Sequence, residues 1–264
     1  MTVLVLTEAE LRQAVSMDQS SLKQVENAFT WLAQDKVSMP PVMHIEVDAQ
    51  SDVDIKSAYV RGLDAFAVKL ASGFFGNPSL GLSSSSGMMV LMSSKTGFCE
   101  AVLLDNGYLT DLRTGLAGAV AARYLAPQSV QTVGVIGAGA QARYQIESLR
   151  LVRDFERLLV SGRSPERVEA YVAQMHSRLG VEVVAAESVR QLVSESQVVV
   201  TTTQSKSPVI DAAWLHPGLH ITAMGSDLPG KQELDARILK EVDTIVCDRK
   251  SQCLLGGELQ HGLA

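Results

Sequence analysis

At 264 residues, 46% hydrophobic and 20% charged, the chain has the composition of one large or two modest globular domains, which excludes disordered and fibrous classes. A net charge of -6 and the absence of any Lys/Arg-rich run leave no electrostatic footprint for a polyphosphate backbone, so a nucleic-acid partner is not expected. No run of roughly 18 apolar residues could span a bilayer and no signal-peptide pattern opens the chain, so the sequence predicts a soluble cytoplasmic protein without a membrane partner.

Thr7 followed by Glu10 fits a capping box, and Leu22, Val25, Phe29 and Leu32 repeat near the helical period. The N-terminus is therefore predicted to be helical, with one face packed. After Pro40-Pro41, short alternating runs cover 42–47, 53–59, 65–71, 88–93 and 99–105, with turns at Thr96-Gly97 and Asn106-Gly107. Runs this close together predict a mainly antiparallel sheet, because parallel crossovers need a dozen or more residues each. This part is a substrate-domain candidate. From Thr110 onward Gly115, Ala117, Gly118, Ala119, Ala121 and Ala122 predict a helix that packs very closely on a neighbour and bridges two domains.

Beyond Pro127 strands at 131–136, 157–161, 181–185, 197–201, 220–224 and 244–247 alternate with helical stretches, the pattern of a doubly wound parallel sheet. The predicted fold class is α/β: a Rossmann dinucleotide-binding domain over 130–264, a connecting helix over 113–129, and an α+β substrate domain over 1–112. The run from Val133 to Ala142 carries Gly137-x-Gly139-x-x-Ala142 between a strand and a helix. Gly137 permits the tight turn, Gly139 lets backbone approach a pyrophosphate, Ala142 allows close helix-strand packing, and the free N–H groups at the helix start face the phosphates. The implied cofactor is NAD or NADP. The second strand ends Val160-Ser161-Gly162-Arg163-Ser164, with no carboxylate for ribose hydroxyls; Arg163 and Ser164 mildly favour NADP, and the alternative is that Arg163 is a solvated loop residue.

Strand alternation puts Lys69 among Ala65, Ala67 and Ala71, either as a ligand for a carboxylate or carbonyl or as a lysine on a solvated sheet face. Arg113 offers a fork of donors to a substrate carboxylate and is also a cofactor-contact candidate; otherwise it forms a surface ion pair. Asp227 follows the run 220–224 at a strand's carboxyl end, where open α/β sheets bind ligands, so it is a candidate proton acceptor or a turn Asp. Lys231 closes the same loop and joins the substrate-binding candidates. Thr201, Thr202 and Thr203 either touch cofactor, Thr203 foremost, or satisfy backbone groups. Ser83 to Ser86 form an anion-binding turn or a flexible loop. The five histidines share no metal-ligand spacing and Cys99, Cys247 and Cys253 form no CxxC pair, so no metal is assigned and the thiols are read as reduced.

Pro40-Pro41, the stretch 67–70, 103–106, Leu112-Arg113-Thr114, the Gly-Ala-Gly-Ala-Gln-Ala turn and 225–234 together resemble the ornithine cyclodeaminase and mu-crystallin family over nearly the whole chain. Residues 106–114 are similar to the branch associated with ectoine utilisation. The resemblance implies a homodimer built through the substrate domain and an active site between the two domains. It implies that Lys69 and Arg113 hold a small amino-acid substrate, that Gly137, Gly139, Ala140 and Gln141 hold the cofactor, and that Ser85 falls near a cofactor-contacting hydroxyl. Cyclodeaminases carry Asp-x-Pro-Gly-Lys, which 227–231 match. The resemblance therefore implies a mechanism in which hydride leaves the α-carbon of a diamino acid, the distal amine attacks the imine with Asp227 accepting its proton, ammonia departs, and hydride returns to give a proline-like product.

The chain departs from the family pattern in three places. Val42 stands where an Arg often follows Pro-Pro, and His44, two residues on, is the substrate-binding candidate there. The missing acid at Ser161 suits NADP(H) and hence a net imine or ketimine reductase or amino-acid dehydrogenase, the alternative to a redox-neutral cyclodeaminase. The chain stops at Ala264, where relatives usually continue with a segment closing the substrate domain, so a third expectation is a cofactor-binding protein without turnover.

Overall fold

The structure is a computed structural model that describes residues 2–262. Two compact units divide it, Met1–Arg113 and Thr114–Ala264. The first contains β1 (Leu4–Thr7), α1 (Glu8–Ala14), α2 (Gln19–Ala33), β2 (Val37–Ser38), β3 (Met43–Asp48), β4 (Ser51–Val60), β5 (Ala65–Phe74), β6 (Ser85–Ser93) and β7 (Cys99–Leu104), and ends within α3 (Tyr108–Leu125). A capping box starts α1: the Thr7 hydroxyl accepts the Glu10 N–H while the Glu10 carboxylate accepts the Thr7 N–H at 2.8 Å. Asp18 caps α2 by accepting the Ser21 N–H at 2.8 Å, and Leu22 on that helix is fully buried.

The sheet of this unit runs β1-β7-β6-β5-β4-β2, with β3 also on β4. The pairs from β2 to β7 are antiparallel, as the short connections require. β1 pairs parallel to β7, a connection that the whole intervening chain makes possible. Register places Lys69 of β5 opposite Lys56 of β4 and Met89 of β6. His44 of β3 stands opposite Asp54 of β4, two residues from Lys56 and thus on the same face.

The second unit carries β8 (Thr132–Ile136), α4 (Ala140–Leu149), β9 (Arg157–Ser161), α5 (Pro165–Leu179), β10 (Glu182–Ala185), α6 (Val189–Glu195), β11 (Val198–Thr201), β12 (Lys206–Ile210), β13 (His220–Ala223), β14 (Gln232–Leu234), α7 (Ile238–Glu241), α8 (Lys250–Gly256) and α9 (Leu259–Gly262). Its five-stranded sheet, β10-β9-β8-β11-β13, is parallel throughout and wound outward in both directions from β8, which is the Rossmann arrangement. Buried Val133, Val135, Ile146, Leu158, Tyr171 and Met175 fill one face, and Ile136, Leu159, Leu192, Val199 and Ile210 the other. The Tyr171 hydroxyl donates to the Ala142 carbonyl at 3.0 Å, tying α5 to α4. The small residues of α3 serve close packing: a side-chain carbon on Gly118 would run into the Gln145 amide.

Several expectations change. The N-terminus opens with a strand, β1, because 4–7 find in β7 a neighbour able to accept their ladder. Ser85 and Ser86 open β6 in place of a serine turn or loop. The run 244–247 forms no strand: β-branched composition is not enough without a pairing partner, and Val246 is 61% exposed. The second unit instead adds a small parallel pair, β12 with β14.

Candidate functional site

In the second unit the ends of β8, β11 and β13 carry the candidate residues. Gly137 has φ +119°, a conformation that favours glycine, and a Cβ there would meet the Thr202 hydroxyl. Gly139 caps α4 without a side-chain hydrogen bond, and a Cβ added to it would meet nothing within 4 Å. Space is therefore open beside Gly139 at the start of this ten-residue helix, and half-buried Ala140 and Gln141 form its first turn. This cradle fits a dinucleotide pyrophosphate: Gly137 shapes the turn, its own N–H being given to the Ser161 carbonyl at 2.8 Å, and Gly139, Ala140 and Gln141 would hold the phosphates through backbone amides and the helix dipole.

Past the end of β9, Arg163 is exposed. The Ser164 hydroxyl is engaged locally, where it caps α5 by accepting the Arg167 N–H at 3.4 Å and donates to Glu166 at 2.7 Å. Past β11, the Thr203 N–H donates to Glu233 and its hydroxyl accepts the Ser205 N–H at 3.2 Å. The candidate loop after β13 is organised by Lys231. That side chain is 8% exposed, and its Nζ donates to Asp227 Oδ1 at 2.6 Å, while the Asp227 side chain is 66% exposed. A buried cation thus holds an open carboxylate in one orientation.

The same loop is strapped from α9. Gln260 accepts the Gly230 N–H at 3.1 Å and donates to the Leu228 and Lys231 carbonyls, and His261 Nε2 donates to the Lys231 carbonyl at 2.7 Å. The Glu258 carboxylate accepts the Glu233 and Leu234 N–H groups; burial pushes its pKa up, against the lowering by those amides. None of these three residues was singled out from sequence, nor was Glu233, whose side chain is fully buried. Their signal is weak, because an acid in a Lys-Gln-Glu-Leu-Asp run has the look of a solvated face.

The first unit brings Lys69, Lys56, Asp54 and His44 onto one sheet face. His44 Nδ1 donates to Asp54 Oδ1 at 2.9 Å and Lys56 Nζ to Asp54 Oδ2 at 3.0 Å. Asp54 holds the His44 imidazole above its ordinary pKa. Burial would raise the Asp54 carboxyl, and the hydrogen bonds from His44 and Lys56 outweigh it, so its pKa lies low. Lys69 is shifted the other way: burial first, then the charges of Arg113 and Lys56, push its ammonium down to about 7. Arg113 is exposed and its field reaches Lys69. Ser85 is exposed at the start of β6. Among the described residues no group of three or more His, Cys, Asp or Glu could hold a metal ion, and no helix is long and apolar enough to cross a membrane.

Comparison with known proteins gives a consistent family. The model of the ornithine cyclodeaminase/mu-crystallin family matches residues 1–263. A protein of Sinorhizobium fredii named an uncharacterized cyclodeaminase is 45% identical over 264 residues, 99% of this chain and 80% of its own length. An archaeal alanine dehydrogenase dimer with bound NAD matches with TM-score 0.90 and 36% identity, covering 98% of this chain and 78% of that one. The Δ1-pyrroline-2-carboxylate reductase of Thermococcus litoralis, in complex with NADH and L-proline, matches with TM-score 0.93 and 30% identity, covering 99% of this chain and 80% of that one.

Proposed function

The chain belongs to the ornithine cyclodeaminase/mu-crystallin family and is an NAD(P)-dependent enzyme, and from that premise we propose that it converts a small diamino acid to a cyclic, proline-like imino acid with release of ammonia. The observation that carries this reading is the Asp227–Lys231 pair, an open carboxylate fixed by a buried ammonium at 2.6 Å. A carboxylate held this way is suited to accept a proton from an amine as that amine becomes a nucleophile. Lys69 and Arg113 take the substrate carboxylate, and His44 lies on the same strand face as Lys69's neighbour Lys56 to set what else is accepted. When bound, the dinucleotide would supply a reversible hydride acceptor for the α-hydrogen. Asp227 takes the proton of the distal amine as it attacks the imine carbon, ammonia departs, and the sum is diamino acid to imino acid plus ammonia with no net redox change.

The cofactor is a nicotinamide dinucleotide; exposed Arg163, with no carboxylate at the end of β9, supports NADP, whereas the two solved relatives hold NAD and NADH. A homodimer through 1–112 is supported by the dimeric archaeal relative and by Met43, Ile45 and Val47, alternate residues of β3 that are 60%, 45% and 55% exposed. The second reading, a reductase of a cyclic imine, draws on the relative that binds NADH and L-proline. Asp227→Asn tests the first. It is expected to bind dinucleotide normally and to lose ammonia release by about 100-fold or more, in the range of a lost general base; unchanged turnover would remove Asp227 from the reaction.

A further inference from the structure

Glu233, in the middle of β14, is fully buried at 0% exposure. Its Oε1 accepts the Thr203 N–H at 2.5 Å, and its Oε2 accepts the Thr201 hydroxyl at 2.6 Å and the Gly225 N–H at 2.7 Å. These donors belong to two separate strand ends. Thr201 is the last residue of β11 with Thr203 two residues beyond, and Gly225 lies two residues past the end of β13. Each end leads to a candidate group. Thr202, between the first two donors, gives its N–H to the Ile136 carbonyl at 2.9 Å and sets its hydroxyl so close to Gly137 that a Cβ there would clash with it. Gly225 stands two residues before Asp227, and a Cβ on it would strike the Thr203 carbonyl and the Glu233 carboxylate.

A carboxylate leaves water only where donors replace its hydration, and three short hydrogen bonds do so here. An apolar side chain would occupy the same space without that desolvation cost, so the charge is explained by what it holds together. Its own main chain is held in turn, since Glu258 accepts the Glu233 N–H at 2.7 Å. We propose that Glu233 is a positioning residue that sets the spacing between the glycine turn that takes the dinucleotide and the Asp227 loop, acting through the Thr203 and Gly225 amides. This assignment rests on the dinucleotide reading above.

The test is a titration of NADH and of NADPH into the full chain, followed by nicotinamide fluorescence, for wild type, Glu233→Gln, Thr201→Val and Thr201→Ser. A dissociation constant reports the folded molecules alone, whereas a merely structural role would lower the amplitude and the melting temperature. In Glu233→Gln the amide nitrogen faces either the Thr203 N–H or the Gly225 N–H, so one amide donor loses its acceptor, and binding of the preferred dinucleotide is expected to weaken about tenfold or more. Thr201→Val weakens it less, and Thr201→Ser, which keeps the hydroxyl, restores it. Dissociation constants within twofold (roughly 0.4 kcal/mol) of wild type in Glu233→Gln overturn the assignment. Should that variant fail to fold, Thr201→Val decides, an unchanged constant overturning it. Wild-type protein that binds neither dinucleotide overturns the dinucleotide reading itself, and this assignment with it.

Discussion

Lys69 carries the sharpest pH dependence expected of the site. Burial, with the Arg113 and Lys56 charges behind it, leaves the ammonium titrating at about 7. A carboxylate is attracted by the charged form, which is complete below that pH and disappears above it. The dissociation constant of a carboxylate held by Lys69 should therefore be flat at low pH and rise tenfold for each unit above about 7, giving about tenfold at pH 8 and about 100-fold at pH 9. The assay is binding of a 2-oxo acid, which lacks an amine with its own titration, to the protein with dinucleotide present. Measured by calorimetry, binding at pH 8 should also take up close to one proton, because the bound carboxylate restores the charge on Lys69. Lys69→Arg should flatten the profile, since a guanidinium stays charged throughout. A wild-type constant that does not change between pH 6 and pH 9 would refute the role given to Lys69.

Two further expectations follow from the strand ends. Gly225→Ala places a methyl group against the Thr203 carbonyl and the Glu233 carboxylate, and should cost about 3 kcal/mol, seen as a fall of roughly 10 °C in the melting temperature of this unit; a fall under about 2 °C would contradict the packing described. Arg163→Ala, at an exposed position, should leave stability unchanged and weaken NADPH about tenfold relative to NADH by fluorescence titration. Equal effects on the two dinucleotides would show that Arg163 does not meet a 2'-phosphate.

What could be read from sequence follows from what local chemistry dictates. The Gly137 turn was legible because its positive φ and the close approach of Thr202 admit only glycine, and because an apolar strand precedes it and a helix follows. The antiparallel sheet was legible from the short spacings between β3 and β7, but β1 was not, since its partner β7 lies about 95 residues away in the chain. β14 has three residues and β12 contains Pro208 and a register shift, so neither offers a period to read. The residues 244–247 offered composition without a neighbour. Lys69 was legible as a cation among alanines, whereas Lys56 and Asp54 beside it depend on cross-strand register, which the turn between β4 and β5 sets. Glu233 was hidden for a related reason: its donors lie on strand ends 8 and about 30 residues away.

The central claim is that hydride leaves and returns within one turnover. Purified protein incubated with L-ornithine and a catalytic amount of NAD+ or NADP+ tests it most directly, with ammonia and imino acid followed by mass spectrometry and reduced cofactor by absorbance. Ammonia and proline are expected in equal amounts, with many turnovers per cofactor and no accumulated reduced dinucleotide. Reduced dinucleotide formed in step with product, or turnover confined to cyclic imines with reduced cofactor, would contradict the claim and make the chain a net oxidoreductase.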